Sequence, residues 1–383
     1  MPVKNAAPSL ISNGFDEAIQ FHLSDDFVVN AEEDGKVIEI NEKLGFIVVQ
    51  YKSGKVKAIS VDTEVVKNSA GGFYLANKLV PTKAKVGDTF KKDEPLAYHD
   101  KYFKYSQTNG LRYAMGALAK IAFVSTYNTY EDGGICTASL ADKLQTEIVF
   151  EEKAMFDKDH DIISIVKIGD KVNIGDSLVK FGKTTEDAEL AKYLTKLSEE
   201  NKRMLLEETK NDIKTKHAGE IVAIKVYSLL EPSKLTPSLG NVVKQYFDRN
   251  ISKKDYLSKF DKSEGIMKAG YLLTGSTEAV KNKYNKIKNI ATTVLIEFYI
   301  KAKDIPKVGD KIALYSANKQ IISQVIPIGY EPYSEYRSSE PIECFSSPGT
   351  ISRRMTSFSL VAAACNKVLI ELKRTIEKKI KYK

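Results

Sequence analysis

The chain contains no tryptophan, and its 383 residues include only three cysteines and four histidines. Cys136, Cys344 and Cys365 are scattered, with no Cys-x-x-Cys pair. An odd, sparse count of this kind suits a reducing compartment and excludes both a disulfide framework and a zinc site. His22, His99, His160 and His217 show no metal-ligand spacing. No apolar run reaches the length of a membrane-spanning helix. The opening MPVKNAAPSL lacks the apolar core of a secretory signal. Secreted, membrane-spanning and zinc-dependent classes are therefore set aside.

What is present is 43% hydrophobic residues, 28% charged residues and a net charge of +8 from 58 basic and 50 acidic side chains. That is enough for two or three domains with real cores. The modest positive excess suits a polyanionic partner without requiring one.

Residues 1–25 read as a short, partly helical lead-in. From Phe27 to Ile59, GKVIEI, GFIVVQY and GKVKAISV alternate apolar and polar residues between turns at Asp34-Gly35, Leu44-Gly45 and Ser53-Gly54. This predicts an antiparallel meander. A phrase then recurs as KVGDTFKKDEPLAY (85–98), KIGDKVNIGDSLVKF (167–181) and KVGDKIALYSA (307–317). Glycine would supply the turn dihedral and aspartate would cap it. Biotinyl and lipoyl carriers use similar strands, but the hairpin tips here, Lys91-Lys92 and Asn173-Ile174, lack the modifiable lysine's usual setting. From Thr184 to Lys216 the period becomes helical, with Leu190, Leu194, Leu197, Met204 and Leu205 among many charges. Residues 220–231 return to strand. Residues 232–290 are lysine-rich and helix-prone, with interruptions at Pro237, Gly240 and Gly265–Gly275. Residues 291–303 are again β-rich. In the tail, Leu360, Ala364, Val368, Leu372 and Ile376 step at four, which predicts an amphipathic helix with a basic end.

The most informative stretch is KVGDKIALYSANKQIISQVIPI, Lys307 to Ile328. It sets two lysines, Lys311 and Lys319, on a strand–loop–strand unit. Residues two apart on a strand share a side, and the loop can return the second lysine beside the first, so both can face one phosphate-lined groove. Taken alone, in a chain with 58 lysines and arginines, they read first as solvated surface lysines.

Gly309-Asp310-Lys311 followed by Asn318-Lys319 resembles a segment of the second-largest (β) subunit of multisubunit RNA polymerases. Downstream, Ile326-Pro327, Pro332-Tyr333, Pro341-Ile342 and Ser352-Arg353 fall in that family's order. Upstream, Gly116, Lys120, Ile121, Ala122 and Phe123 match one β-subunit signature. Asn128, Tyr130, Glu131, Asp132 and Ile135 match the next. The resemblance spans roughly residues 27–360.

That resemblance implies a mixed α+β, β-dominated chain with a double-psi β-barrel and a flap-like α/β insertion. The expected regions are a β-rich 1–94, a first half-barrel at 95–150, a flap (wall) insertion at 151–290, a second half-barrel at 291–357 and a basic amphipathic helix at 358–383. Lys311 and Lys319 would neutralise phosphates at the growing RNA end. Arg353, with Arg354 one register away, would meet the triphosphate of the incoming nucleotide, with Lys120 and Arg112 as further nucleotide-binding candidates. Lys120 stands where the family has arginine, which keeps the charge but loses the bidentate fork. Asp132 and Glu131 resemble the acidic pair near the second, nucleotide-borne Mg2+. The Asp-rich loop that holds the tight metal belongs to the largest (β′) subunit and has no counterpart here, so the chain should be inactive alone. The expected partners are a β N-terminal fragment, β′ fragments, a promoter-specificity subunit, template DNA, RNA and nucleoside triphosphates. Such splitting resembles the polymerases of giant phages, which places the protein in the infected bacterial cytoplasm or the virion. One departure stands out: between Lys311 and Lys319 the family has an Arg-His-Gly-bearing loop, whereas Ile312 to Ala317 here are stiffer and uncharged. The alternative is a non-catalytic β-barrel structural or interaction protein, such as a virion component or a degenerate polymerase relic.

Overall fold

A computed structural model describes residues 2–11, 14–67, 74–83, 85–106, 110–114, 116–183, 211–260, 293–314, 318–335 and 337–381. Chain contacts divide it into two compact units. One joins 1–30, 98–147 and 303–383; the other joins 31–97 and 148–302. The architecture is β-dominated mixed α+β.

In the second unit the meander forms as its alternation predicts. Strands Gly35–Asn41, Phe46–Tyr51 and Val56–Ser60 pair antiparallel. Strands Gly219–Ser228 and Val294–Asp304 also pair antiparallel, from Glu220↔Lys301 to Ser228↔Val294. This pairing joins 294–302 to the rest of the second unit. Their core includes Phe156, Ile221, Leu239, Ile296 and Phe298. Pro237 does not break a helix but begins one, Pro237–Leu257, because a first-turn proline sacrifices no intrahelical hydrogen bond. Gly240 lies inside that helix, where a Cβ would come within 2.5 Å of the Pro232 carbonyl oxygen. The helical expectation over 184–210 lies outside the described residues. Its last stretch, Asn211–Lys214, is instead a strand paired with Ser177–Lys183; backbone pairing overrides its local period.

The recurring phrase folds the same way each time. Gly87, Gly169 and Gly309 have φ of +94°, +95° and +95°. In each turn the aspartate accepts a bond from the backbone N–H of the leading lysine: Asp88 from Lys85 at 3.1 Å, Asp170 from Lys167 at 2.7 Å, Asp310 from Lys307 at 2.9 Å.

The first unit holds a five-stranded mixed sheet. Its strands are β1 (Ile121–Phe123), β2 (Gly133–Thr137), β3 (Lys311–Leu314), β4 (Asn318–Ile326) and β5 (Cys344–Ser346), in the order β1-β5-β2-β4-β3. β1 runs parallel to β5 and β2 parallel to β4, while β2–β5 and β3–β4 are antiparallel. Helix α1 (Ala138–Lys143) follows β2, with the Thr137 side chain accepting from the Leu140 N–H. It packs Leu140 and Ala141 against Cys136, Ile322 and Cys344. Two further helices, α2 (Pro348–Arg354) and α3 (Phe358–Lys381), end the unit. Among the described residues no helix is long and apolar enough to cross a membrane.

Cys136 and Cys344 face each other across β2 and β5. Burial pushes their thiols up to about 11 and about 12, whereas Cys365 is exposed. At pH 8 a disulfide reagent should therefore titrate one thiol rapidly in the folded chain and all three after denaturation. Two rapid thiols would refute this packing.

Candidate phosphate-binding face

The Lys307–Asp310 turn starts β3 at Lys311, and its glycine N–H donates to the Ile322 carbonyl at 2.8 Å. β3 then returns as β4 with Lys311 opposite Ile321 and Ala313 opposite Lys319. Directly opposed residues share a face, so Lys311, Ala313, Lys319 and Ile321 lie together, and all four are exposed. The two lysines are diagonal neighbours, a relation that sets backbones roughly 7–8 Å apart. Residues 315–317, between the strands, lie outside the described set; Ile312 and Leu314 belong to β3 and turn to the core side.

The other face of β4 anchors the backbone on either side of Lys319. Asn318 and Gln320 are only 2% and 1% exposed. The Asn318 side-chain amide donates to Ser359 at 3.3 Å, and its oxygen accepts from Thr356 at 2.9 Å. The Gln320 amide donates to Ser346. Each buried amide thus has polar partners, as burial demands. Gly134 on β2 makes room for Gln320: a Cβ there would lie 2.2 Å from its side-chain oxygen.

Beside β4 runs the turn that carries the carboxylates. The Gly133 N–H donates to the Tyr130 carbonyl at 2.9 Å, and Ile321 N–H donates to the Asp132 carbonyl at 2.8 Å. Glu131 has φ of +51°, a left-handed conformation that costs a non-glycine residue about 1–3 kcal/mol and persists where its surroundings over-determine it. Here Thr350 of α2 donates to the Glu131 carbonyl at 2.6 Å. The 3-10 turn Tyr127–Thr129 leads into this segment. Its Asn128 bonds Gln324 at 2.7 Å, and Ser323 donates to the Asn128 carbonyl at 2.5 Å.

Helix α2 is opened by Ser347, which accepts from the Gly349 N–H, and closed by Met355 at φ +51°. Its last turn aims two arginines at the turn. One guanidinium nitrogen of Arg354 lies 2.9 Å from each Asp132 carboxylate oxygen. Arg353 lies 3.4 Å from Glu131. The structure therefore gathers Glu131, Asp132, Lys311, Lys319, Arg353 and Arg354 around one end of β4.

The other two candidates have different partners. Lys120 pairs with Glu340, which Arg374 of α3 also contacts at 2.5 Å. Arg112 pairs with Asp16 in the N-terminal stretch. Among the described residues no three His, Cys, Asp or Glu side chains come together as a metal cage. Sequence reasoning missed Asn318 and Gln320 as supports; the only hint was two amides at alternate positions of an apolar strand.

The model of the family described as RNA polymerase Rpb2, domain 6 matches residues 124–380, more than half of the chain. The chain belongs to this family. It is thus a β-type subunit of a multisubunit DNA-directed RNA polymerase, a nucleotidyltransferase whose partners are other polymerase subunits and nucleic acid. A search of curated proteins returned no match. The Rpb2-type match covers all the gathered residues: the turn, the lysine hairpin and both arginines.

Two outcomes follow for this face. Gly134→Ala should cost roughly 1–3 kcal/mol of unfolding free energy in denaturant titrations, because the buried Gln320 has to move; an unchanged midpoint would refute the close approach. The Lys120 ammonium, then the Arg374 guanidinium, hold the Glu340 carboxyl down to about 2. A lowered carboxylate pKa gives stability that is complete above the ordinary value and lost as pH falls through the folded one. Attachment of α3, read by hydrogen exchange, should therefore loosen between about pH 4.5 and 2 and depend on salt, and Glu340→Gln should remove that dependence.

Proposed function

We propose that this chain is one fragment of a split, phage-type β subunit, and that its β3–β4 hairpin holds RNA and nucleotide phosphates for transfer. The observation that carries this reading is the single exposed face bearing Lys311 and Lys319, beside a turn with two carboxylates and a helix end with two arginines. In this reading the five-stranded sheet forms part of a double-psi barrel, and residues 148–302 contribute the flap-like region.

Lys311 and Lys319 would neutralise phosphates of the RNA 3′ end and the RNA–DNA hybrid, adding salt-dependent affinity through counterion release. Arg353 and Arg354 present planar forks suited to the triphosphate. Mg2+, when bound, supplies charge neutralisation and alignment of the attacking and leaving oxygens. Glu131 and Asp132 offer the hard oxygen donors it prefers, and two carboxylates suit an ion held mainly by the nucleotide and a β′-like partner. In the free chain those carboxylates are occupied by the arginines. Exposed pairs of this kind are worth about 0–1 kcal/mol, so an incoming triphosphate can draw the arginines away at little cost and release the carboxylates. The chain would be inactive alone and would act in the infected bacterial cytoplasm or the virion, with β and β′ fragments and a promoter-specificity subunit.

The same mutual neutralisation is what favours the rival, a non-catalytic β-barrel component; that protein would purify without a β′-like chain.

The test uses the assembled complex. Lys311→Ala with Lys319→Ala should slow RNA extension on the order of 10- to 100-fold at moderate salt. It should also flatten the salt dependence of RNA binding by about 0.7 per lost contact. Unchanged extension would remove the assignment.

A further inference from the structure

Helix α3 is docked the wrong way round for a solitary protein. Its polar side meets the first unit: Ser359 bonds Asn318, and Arg374 bonds Glu340. Ala362 is buried at 1%. On the opposite side Val361, Val368, Leu372 and Ile376 stand 49–66% exposed, and Ile380, at the azimuth of Ala362, is 68% exposed. At about 100° per residue, the first four lie within roughly 80° of one another, and Ser359, Asn366 and Arg374 lie across the helix axis. An apolar stripe running from Val361 to Ile376, turned outward by polar anchoring, marks an interaction surface.

We infer that this stripe docks a different polypeptide of the polymerase assembly, one presenting an apolar strip bordered by carboxylates. The inference rests on the reading of the chain as one subunit among several. Charge selects the occupant. The helix carries Lys367, Lys373, Arg374, Lys378, Lys379 and Lys381 against Glu371 and Glu377. Lys379 falls within the stripe and Lys373 and Lys378 to its two sides, while Glu371 borders one edge and Glu377 lies across the helix, so the stripe's surroundings stay net basic. A second copy paired in parallel would oppose basic halves. An antiparallel copy would oppose the basic half to the uncharged 358–366. Neither supplies compensating charge, and an acid-bordered strip does.

The experiment uses the full chain. By sedimentation it should remain a monomer at tens of micromolar. A synthetic amphipathic helix with leucines at the stripe's spacing and glutamates beside them should bind in the micromolar range. The same helix with lysines beside the leucines should bind at least about tenfold more weakly. Val368→Asp with Leu372→Asp, both exposed, should weaken the glutamate helix at least about tenfold. Lys373→Glu with Lys379→Glu should do the same and serves as the second variant if the first misfolds. Lys311→Ala with Lys319→Ala should leave this binding unchanged, so failure here is separable from failure of the phosphate-binding reading. Equal binding of the two helices would overturn the inference. So would a dimer dispersed by Val368→Asp and Leu372→Asp, or tighter capture by phosphatidylcholine–phosphatidylglycerol vesicles than by the glutamate helix.

Discussion

The hydrogen bonds of two buried amides, Asn318 and Gln320, fix everything on the other side of β4. An unsatisfied amide in that position would cost about 1–3 kcal/mol, so the strand has one acceptable register. A slip by one residue would turn the amides out and bury Lys319. The lysine face is thus specified from beneath by the core, and the hairpin needs no glycine-rich loop to present it.

The arrangement around that strand combines inexpensive and expensive elements. The ion pairs between α2 and the carboxylate turn are exposed and weak, and they can be exchanged. The backbone that carries them is not: Glu131 is left-handed, its carbonyl is held by Thr350, and Asp132 is tied through its own carbonyl to β4. Weak side-chain pairs on a firmly placed backbone suit a surface whose charges change partners while their positions stay constant.

Much of this was legible in the sequence, and the parts that were not share a cause. The Gly-Asp phrase declares the turn that starts β3, because its signal is local, whereas the buried side of β4 carries Asn318 and Gln320 and the exposed side Ile321, so hydropathy along 318–322 does not reveal it. The partners of Arg112 and Lys120 lie 96 and 220 positions away, and no periodicity announces them. The space required at Gly134 is likewise set by a side chain from the other end of the chain. Pro237 reads as an interruption in the sequence because a proline looks the same whether it ends a helix or begins one. Asn211–Lys214 looked helical by charge and spacing, yet its backbone is committed to a neighbouring strand.

The order of the strands has a consequence for synthesis. Among the described residues β2 hydrogen-bonds only to β4 and β5 within its sheet, and both lie beyond residue 317. About 180 residues separate the end of β2 from the start of β4, which a ribosome emitting 5–20 residues per second needs roughly 10–35 s to make. Throughout that interval a nascent chain carries Gly-Gly-Ile-Cys-Thr with both strand edges open, the condition that invites misassociation. The intervening 148–302 has a core of its own, but that core closes only once Val294–Asp304 emerges, so the ribosome's pace alone sets how long the strand waits for its neighbours.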